Sequence, residues 1–265
     1  MVKKDGRVIA AENEARVLRA LHRFGWLRTR DLAALVWQHW QRRPLGGPSL
    51  VAANATGANL RMAQYTMRRL TRDRQVLRSR GPNGSVLYAL AEAGARRLQQ
   101  IGIPAATGKD IVRGFSTAHF RHRTIANEIA ISGIVQGFRV STEREIAQDR
   151  WLGGATGIVG KKPDVLLQSD GSLWWVEVEK SRKNAKDYGR LLNWLAQVGN
   201  DAARRTGSIL LNPGTRWAKV IFVCVPAFEA RVRTDLAALG WKREQLDAFI
   251  FFSTTLYSLE ETVFT

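Results

Sequence analysis

The chain has 265 residues, 45% of them hydrophobic, and 41 Lys and Arg against 23 Asp and Glu, a formal net charge of +18. That length supports one large core or two modest ones, and the charge favours a polyanionic partner because contact with phosphates releases condensed counterions. The absence of an apolar run of about eighteen or more residues and of a signal or lipidation motif argues against a membrane, and the single cysteine fits a reducing cytoplasm. The single cysteine, Cys224, lies in the apolar run VIFVCVP, which excludes an internal disulfide framework. The charge is uneven. Residues 1–115 carry 21 basic and 7 acidic side chains, a net of +14, and residues 116–265 carry 20 and 16, a net of +4. The asymmetry predicts two units, one gripping a polyanion and one needing acids.

In AENEARVLRALHRFGWL the residues Ala15, Leu18, Leu21 and Phe24 recur at helical spacing, and Gly25 supplies a stop. Thr29 is the expected N-cap of a second helix, RDLAALVWQHW. After a Gly- and Pro-rich loop, a third helix, NLRMAQYTMRRLTRD, turns Ala63, Met67 and Leu70 inward. Arg61, Tyr65, Arg68 and Arg72 fall on a different face, with Arg69 beside them. VLRSR and SVLYAL read as strands of a hairpin whose turn is Asn83-Gly84, two residues that tolerate positive φ. A helix, AEAGARRLQQI, closes the unit.

Three helices followed by a basic hairpin resembles a winged helix-turn-helix over about residues 10–102. The resemblance implies that the third helix enters a DNA major groove, with Arg61, Tyr65, Arg68, Arg69 and Arg72 as contacts. Arg78 and Arg80 of the hairpin would lie along a neighbouring backbone. The predicted organisation is a winged-helix domain over 1–104, a linker over 105–116 and a second domain over 117–265.

The second domain opens with a helix, HFRHRTIANEIAISGIVQG, with Ile125, Ile129 and Ile131 or Ile134 as core positions. FRVSTEREIA, PDVLLQ and LWWVEVE follow as strands, then a helix over KNAKDYGRLLNWLAQVGNDAARR and a two-side-buried strand, AKVIFVCVP. FEARVRTDLAALG reads as a helix and DAFIFFSTT as a last strand, so the fold class is α/β (α+β), a mixed sheet flanked by helices. The glycines of WLGGATGIVGKK mark a flexible loop, and Trp174 and Trp175 read as packing residues.

Strand alternation puts Glu177 and Glu179 on one face, and Asp164 heads the neighbouring strand. Such a carboxylate group suits a hard divalent cation, Mg²⁺ or Mn²⁺, which can polarise a phosphate and lower the pKa of water. An ammonium nearby would stabilise developing charge. Alternation turns Lys180 away, whereas Lys183, Lys186 and Arg190 share a helix face from which one can reach the site. His119 and His122, three residues apart, lack a spaced third ligand and read as helix-surface or hydrogen-bonding residues rather than a zinc site. Tyr188 lacks the histidine cluster that accompanies a tyrosine nucleophile and is set aside.

Pro163-Asp164, twelve residues and then Glu177-x-Glu179 resemble the motifs of the PD-(D/E)XK nuclease superfamily. Glu179 stands where that superfamily has lysine, and the resemblance places Glu128 where an additional metal-associated acid is often found. More narrowly, the chain resembles the replication-relaxation family, including MobC-type plasmid mobilisation relaxases, over roughly residues 10–195. The carrying residues are His122-x-x-x-x-Asn127, Pro163-Asp164, Glu177-Val178-Glu179 and Lys186-Asp187-Tyr188. The resemblance implies double-stranded DNA with an origin-like site as partner, other relaxosome or mobilisation proteins beside it, and metal-dependent nicking. Asp164, Glu177 and Glu179 would hold the metal, with Lys183 or Lys186 assisting. The alternative is a non-catalytic relaxosome accessory or transcriptional regulator, and the sequence leaves the oligomeric state open, a dimer included.

Overall fold

The computed structural model describes residues 5–114, 116–179 and 184–254. They form a mixed α/β structure of helices around two sheets. Helix α1 (Gly6–Phe24) is capped by Asp5, whose carboxylate accepts from the Arg7 N–H at 3.0 Å, and it stops at Gly25, φ +82°. It buries Val17, Leu18, Leu21 and Phe24, one stripe of a 3.6-residue period. Strand β1 (Leu27–Arg28) leads into α2 (Thr29–Trp37). The N-cap there is Arg28 rather than Thr29, because Asp31 accepts the Arg28 backbone N–H at 2.7 Å and so does the capping from inside the first turn.

Helix α3 (Gly57–Arg72), capped by Thr56, buries Ala63, Thr66, Met67 and Leu70. Strands β2 (Val76–Arg80) and β3 (Val86–Leu90) pair antiparallel, and the sheet runs β1-β3-β2. The hairpin turn is longer than the predicted two-residue form. The Gly81 N–H donates to the Ser85 carbonyl at 2.8 Å, Pro82 to Gly84 lie between, and only Gly84 of these takes positive φ, at +80°. Helix α4 (Glu92–Gln100) follows. The stretch expected to be a linker holds α5 (Lys109–Arg113), packed on β2 and β3, with Val112 buried among Trp26, Leu87, Ala89 and Phe120.

Helix α6 (Thr117–Val135) is buried continuously from Thr124 to Ile134. Strand β4 (Arg139–Ser141) is shorter than expected, because Thr142 and Glu145 form a reciprocal capping box that turns EREIA into helix α7 (Glu143–Ala147). Then come β5 (Val165–Ser169), β6 (Ser172–Glu179), α8 (Ala185–Ala202), β7 (Arg216–Cys224), α9 (Pro226–Ala238), α10 (Arg243–Phe249) and β8 (Ile250–Ser253). The start of the expected last strand, Asp247 to Phe249, is thus the end of α10. The sheet order is β4-β5-β6-β7-β8, antiparallel from β4 to β6 and parallel from β6 to β8.

The two faces of this sheet have separate cores. Val165, Leu167, Val176, Val178, Ile221 and Val223 pack with α6, and that core continues into α1, α2 and α3. Leu166, Trp175, Val220, Phe222 and Cys224 pack on the other face with α8 and α9. Helix α6 therefore lies between the front helices and the sheet. Its solvent-free surroundings require its polar groups to be paired. The loop between α2 and α3 is held to α6 by Ser132 Oγ donating to the Val51 carbonyl at 2.7 Å and Gln136 Nε2 donating to the Ser49 carbonyl at 2.8 Å.

Directional bonds line the same seam. Asn127 Nδ2 donates to the Trp26 carbonyl at 3.3 Å and Thr142 Oγ1 to the Arg23 carbonyl at 2.7 Å. Arg23 Nε donates to Glu145 Oε1 at 2.7 Å. Glu128, 2% exposed, has a carboxylate that meets both Arg28 and Arg30, while Arg28 also meets Asp31 at 2.9 Å. Burial pushes the Glu128 carboxyl up despite both arginines. Glu128→Ala is expected to lower folding stability by about 3–5 kcal/mol, because two arginines lose their buried counter-ion. Glu92→Ala, which breaks an exposed pair with Arg96, should change it by no more than about 0.5 kcal/mol. Urea titration of the two variants checks this, and equal midpoints would refute it.

Candidate active site and nucleic-acid interface

The carboxylates sit where β5 and β6 meet. Trp175, Glu177 and Glu179 alternate onto the face covered by α8, and all three are buried. Asp164 lies just before β5, and its backbone N–H donates to the Val176 carbonyl at 3.0 Å. Its Oδ2 accepts the Val178 N–H at 2.7 Å, which fixes the side chain against β6. Glu177 and Glu179 thus share one sheet face, as strand alternation predicts, and Asp164 lies against β6 at the head of the neighbouring strand.

The cation beside them was not anticipated. Lys161, three residues before Asp164, sends its ammonium to Glu177 Oε2 at 2.7 Å, and Trp175 Nε1 donates to Glu177 Oε1. Burial pushes the Glu177 carboxyl up to about 7, against the pull of Lys161 and with a further push from Asp164 and Glu179. Burial also opposes the Lys161 charge, but Glu177 foremost, with Asp164 and Glu179, raises its pKa. His122 Nε2 lies 3.2 Å from Asp164 Oδ2. Burial disfavours its charged form, yet the hydrogen bond and charge of Asp164 hold it up to about 9. Two internal cations, Lys161 and His122, therefore face two of the three acids.

Lys161 is held by its loop, which is more ordered than its glycines suggested. Ile158 and Lys161 exchange backbone hydrogen bonds of 2.9 and 3.2 Å, and Trp194 Nε1 of α8 donates to the Ile158 carbonyl at 2.9 Å. Gly157, φ +74°, has no room for a Cβ, which would come within 2.4 Å of the Lys161 carbonyl oxygen. The signal was present in the sequence as two lysines directly before Pro163-Asp164. The motif pattern, with lysine after the second acid, points downstream of Glu179 instead.

The other expected site residues divide. Glu128 is not with the acids, being enclosed by Arg28 and Arg30 at the seam. Lys183, like Lys180, lies outside the described residues. Lys186 is exposed on the first turn of α8, and Arg190 is exposed with Asp187 at 3.3 Å. Tyr188 donates to Asp235 Oδ2 at 2.7 Å with Arg231 stacked 3.8 Å from its ring centre, a packing role. Asp164, Glu177 and Glu179 offer the all-oxygen donors that suit Mg²⁺ or Mn²⁺. Among the described residues, no three acidic, histidine or cysteine side chains already surround a single point, and the oxygens of Asp164 and Glu177 are turned to Val178, His122, Lys161 and Trp175.

On the front unit, Arg61, Tyr65, Arg68 and Arg72 are exposed on α3, and Arg78 and Arg80 are exposed on β2, which packs beside α3. Arg68 lies 5.8 Å from the Tyr65 ring centre, and Arg72 bonds Asp73 at 2.9 Å. Arg69 differs from them. It turns inward to Glu14, whose second oxygen takes Arg97 at 2.9 Å, and so ties α3 to α1.

The chain matches no family model, no curated protein and no solved structure. Its function is therefore argued from its own chemistry. Among the described residues no helix is long and apolar enough to cross a membrane.

Both His122 and Glu177 have pKa values raised above those of the unfolded chain. Their contributions are fully present at low pH and are lost as pH rises, through about 7 for Glu177 and about 9 for His122. The melting temperature is expected to fall as pH rises from 6.5 to 9. His122→Gln should flatten the slope across this window, most completely above 7, where the Glu177 contribution is already spent. Melts across this pH range decide it, and an unchanged alkaline slope in the variant would remove the His122–Asp164 pair from the account.

Proposed function

We propose that the chain is a DNA-binding, metal-dependent DNA-processing protein, with a winged-helix front and a PD-(D/E)XK-like rear. The observation that carries this reading is the Lys161 ammonium on Glu177, with Glu179 on the same strand face and Asp164 held against β6 nearby. Neighbouring acids and an ammonium suit hydrolysis of a phosphodiester, the acids to hold a hard cation and the ammonium to stabilise developing charge. Asp164 and Glu177, with Glu179, would hold Mg²⁺ or Mn²⁺, which supplies Lewis-acid polarisation of the phosphate and a more acidic water. Lys161 takes the part for which Lys183 and Lys186 were the expected candidates. His122 orients Asp164 by its hydrogen bond, and Trp175 orients Glu177.

The exposed basic residues of α3 and β2, together with the +14 of residues 1–115, support duplex binding by the front unit. The likeness of His122-x-x-x-x-Asn127, Pro163-Asp164 and Glu177-x-Glu179 to replication-relaxation proteins narrows the proposal to origin recognition and strand nicking on a mobile element. A second reading, a non-catalytic accessory or regulator, is favoured by the pairing of Glu177 and Asp164 with internal cations, which lets the fold keep its acids without a metal.

Supercoiled plasmid carrying the element's origin, incubated with Mg²⁺ or Mn²⁺, separates the two. The first reading expects nicking by the wild type and none by Asp164→Ala or Glu177→Ala, with DNA binding retained. Lys161→Met should slow nicking by about 10²-fold or more, whereas Lys186→Ala should not. A wild type that binds the plasmid and leaves it intact supports the accessory reading. For the front unit, replacing Arg68 and Arg72 by alanine should flatten the slope of log K against log[salt] by about one unit per arginine. Arg69→Ala should act through stability instead, since Arg69 is committed to Glu14.

A further inference from the structure

Beside the carboxylates a groove of about 410 Å³ runs between the Val159–Lys161 loop and α8. Leu191 and Trp194 form its floor, and Asp187, Arg190, Asn193 and Gln197 line its helical side. Arg190, Asn193 and Gln197 are exposed at i, i+3 and i+7, a single stripe spanning about 10 Å of helix. At one end lies Lys161, which lines the groove and also bonds Glu177 at 2.7 Å. The Lys161 side chain is thus shared between the groove and Glu177.

Its walls are fixed before any ligand arrives. Trp194 pins the Ile158 carbonyl at 2.9 Å, the Ile158–Lys161 bridge closes the loop, and the Lys161 ammonium lies 5.9 Å from the Trp194 ring centre. The lining is donor-rich, with one guanidinium, one ammonium and two side-chain amides. Asp187, the one acid, is loosely paired with Arg190 at 3.3 Å. The volume is that of a small-ligand cleft, too small for a duplex. The Trp194 ring is buried, so no aromatic face is open for base stacking, the usual source of base contact in single-strand grooves.

We infer that this groove holds the sugar–phosphate backbone of a single DNA strand and leads it to the Asp164–Glu177–Glu179 group, a role that rests on the proposed function. Arg190 and Lys161 contact phosphates, and Asn193 and Gln197 donate to phosphate or sugar oxygens. Recognition here is of strand and charge, without reading of bases, and duplex recognition belongs to α3 and β2.

The test is binding in EDTA, which reads the groove without any cleavage. Fluorescence anisotropy compares a duplex with the same duplex carrying a single-stranded tail. The double variant Arg190→Ala, Gln197→Ala should lose about tenfold in affinity for the tailed DNA and none for the blunt duplex. Its salt slope on tailed DNA should fall by about 0.7 of a unit, for the one charge removed from a single-strand contact. Position is read separately. Cys224, the chain's single cysteine, is buried, so Asn193→Cys introduces a solitary accessible thiol, which should crosslink to a thiol-bearing tail and not to a thiol-bearing blunt duplex. Equal losses on both DNAs, or crosslinking indifferent to the tail, overturn the inference. If the double variant binds tailed DNA as the wild type does while Asp164→Ala still abolishes nicking, the groove assignment fails and the enzyme reading stands. If groove effects appear but the wild type never nicks, the enzyme reading fails and the groove stands.

Discussion

The Glu128 carboxylate, enclosed by Arg28 and Arg30, is the contact on which the arrangement of the molecule turns. Helix α6 lies in the core between the front helices and the larger sheet, and a helix surrounded by apolar neighbours can slide or rotate with little change in buried area. A buried charge cannot. Displacing Glu128 by one turn would leave a carboxylate and two guanidinium groups without partners in a low-dielectric setting, at several kcal/mol per ion. Hydrophobic burial supplies most of the stability, and this ion group, with Asn127 on the Trp26 carbonyl and Thr142 on the Arg23 carbonyl, selects one orientation among those that burial alone would tolerate.

That constraint reaches the acid group through α6 itself. His122 and Glu128 are six residues apart on the same helix, about 9 Å along its axis. One faces Asp164 and the other the front helices. Helix α3 packs on α2, α2 packs on α6, and α6 packs on β5 and β6. Every step of this path is a packed or ion-paired contact, with no hinge between them. A duplex held on α3 would therefore meet the carboxylates in a fixed geometry, and the stretch 105–116 does not loosen it, because α5 and Val112 are built into the front sheet.

Local patterns in the chain were enough for most elements and failed where partners lie far apart. The stripes of α1, α3 and α8 follow the 3.6-residue period, and the apolar runs of β6 and β7 follow from burial on both faces. Helix α7 was legible but misread. Thr142 and Glu145 spell a capping box, but EREIA has too few apolar residues to show a helical period. Glu128 was assigned to the acids because its place in a motif suggested so, while the residues that hold it, Arg28 and Arg30, are about a hundred positions away. No local rule connects such pairs. Lys161 was hidden by chain reversal: the glycine-rich loop brings a residue that precedes the first acid back over the second. By contrast, the shared face of Glu177 and Glu179 needed only strand alternation, and it was read directly.

The balance of charge at the acids follows from these positions. The rear of the chain is nearly neutral overall, yet it places Glu177 and Glu179 on one buried sheet face with Asp164 at the head of the neighbouring strand. Such a group cannot remain ionised in the core without compensation. Two means are visible: the Glu177 carboxyl is raised to about 7, and Lys161 and His122 supply positive charge. Lys161 matters more of the two because it lines the α8 groove as well. A polyanion entering that groove and the buried carboxylate compete for the same ammonium, so the strength of the Lys161–Glu177 bond depends on what occupies the groove. Electrostatics thereby couples groove and acid group without any movement of the backbone, and the rigid loop pinned by Trp194 keeps that coupling short-ranged and specific to this one side chain.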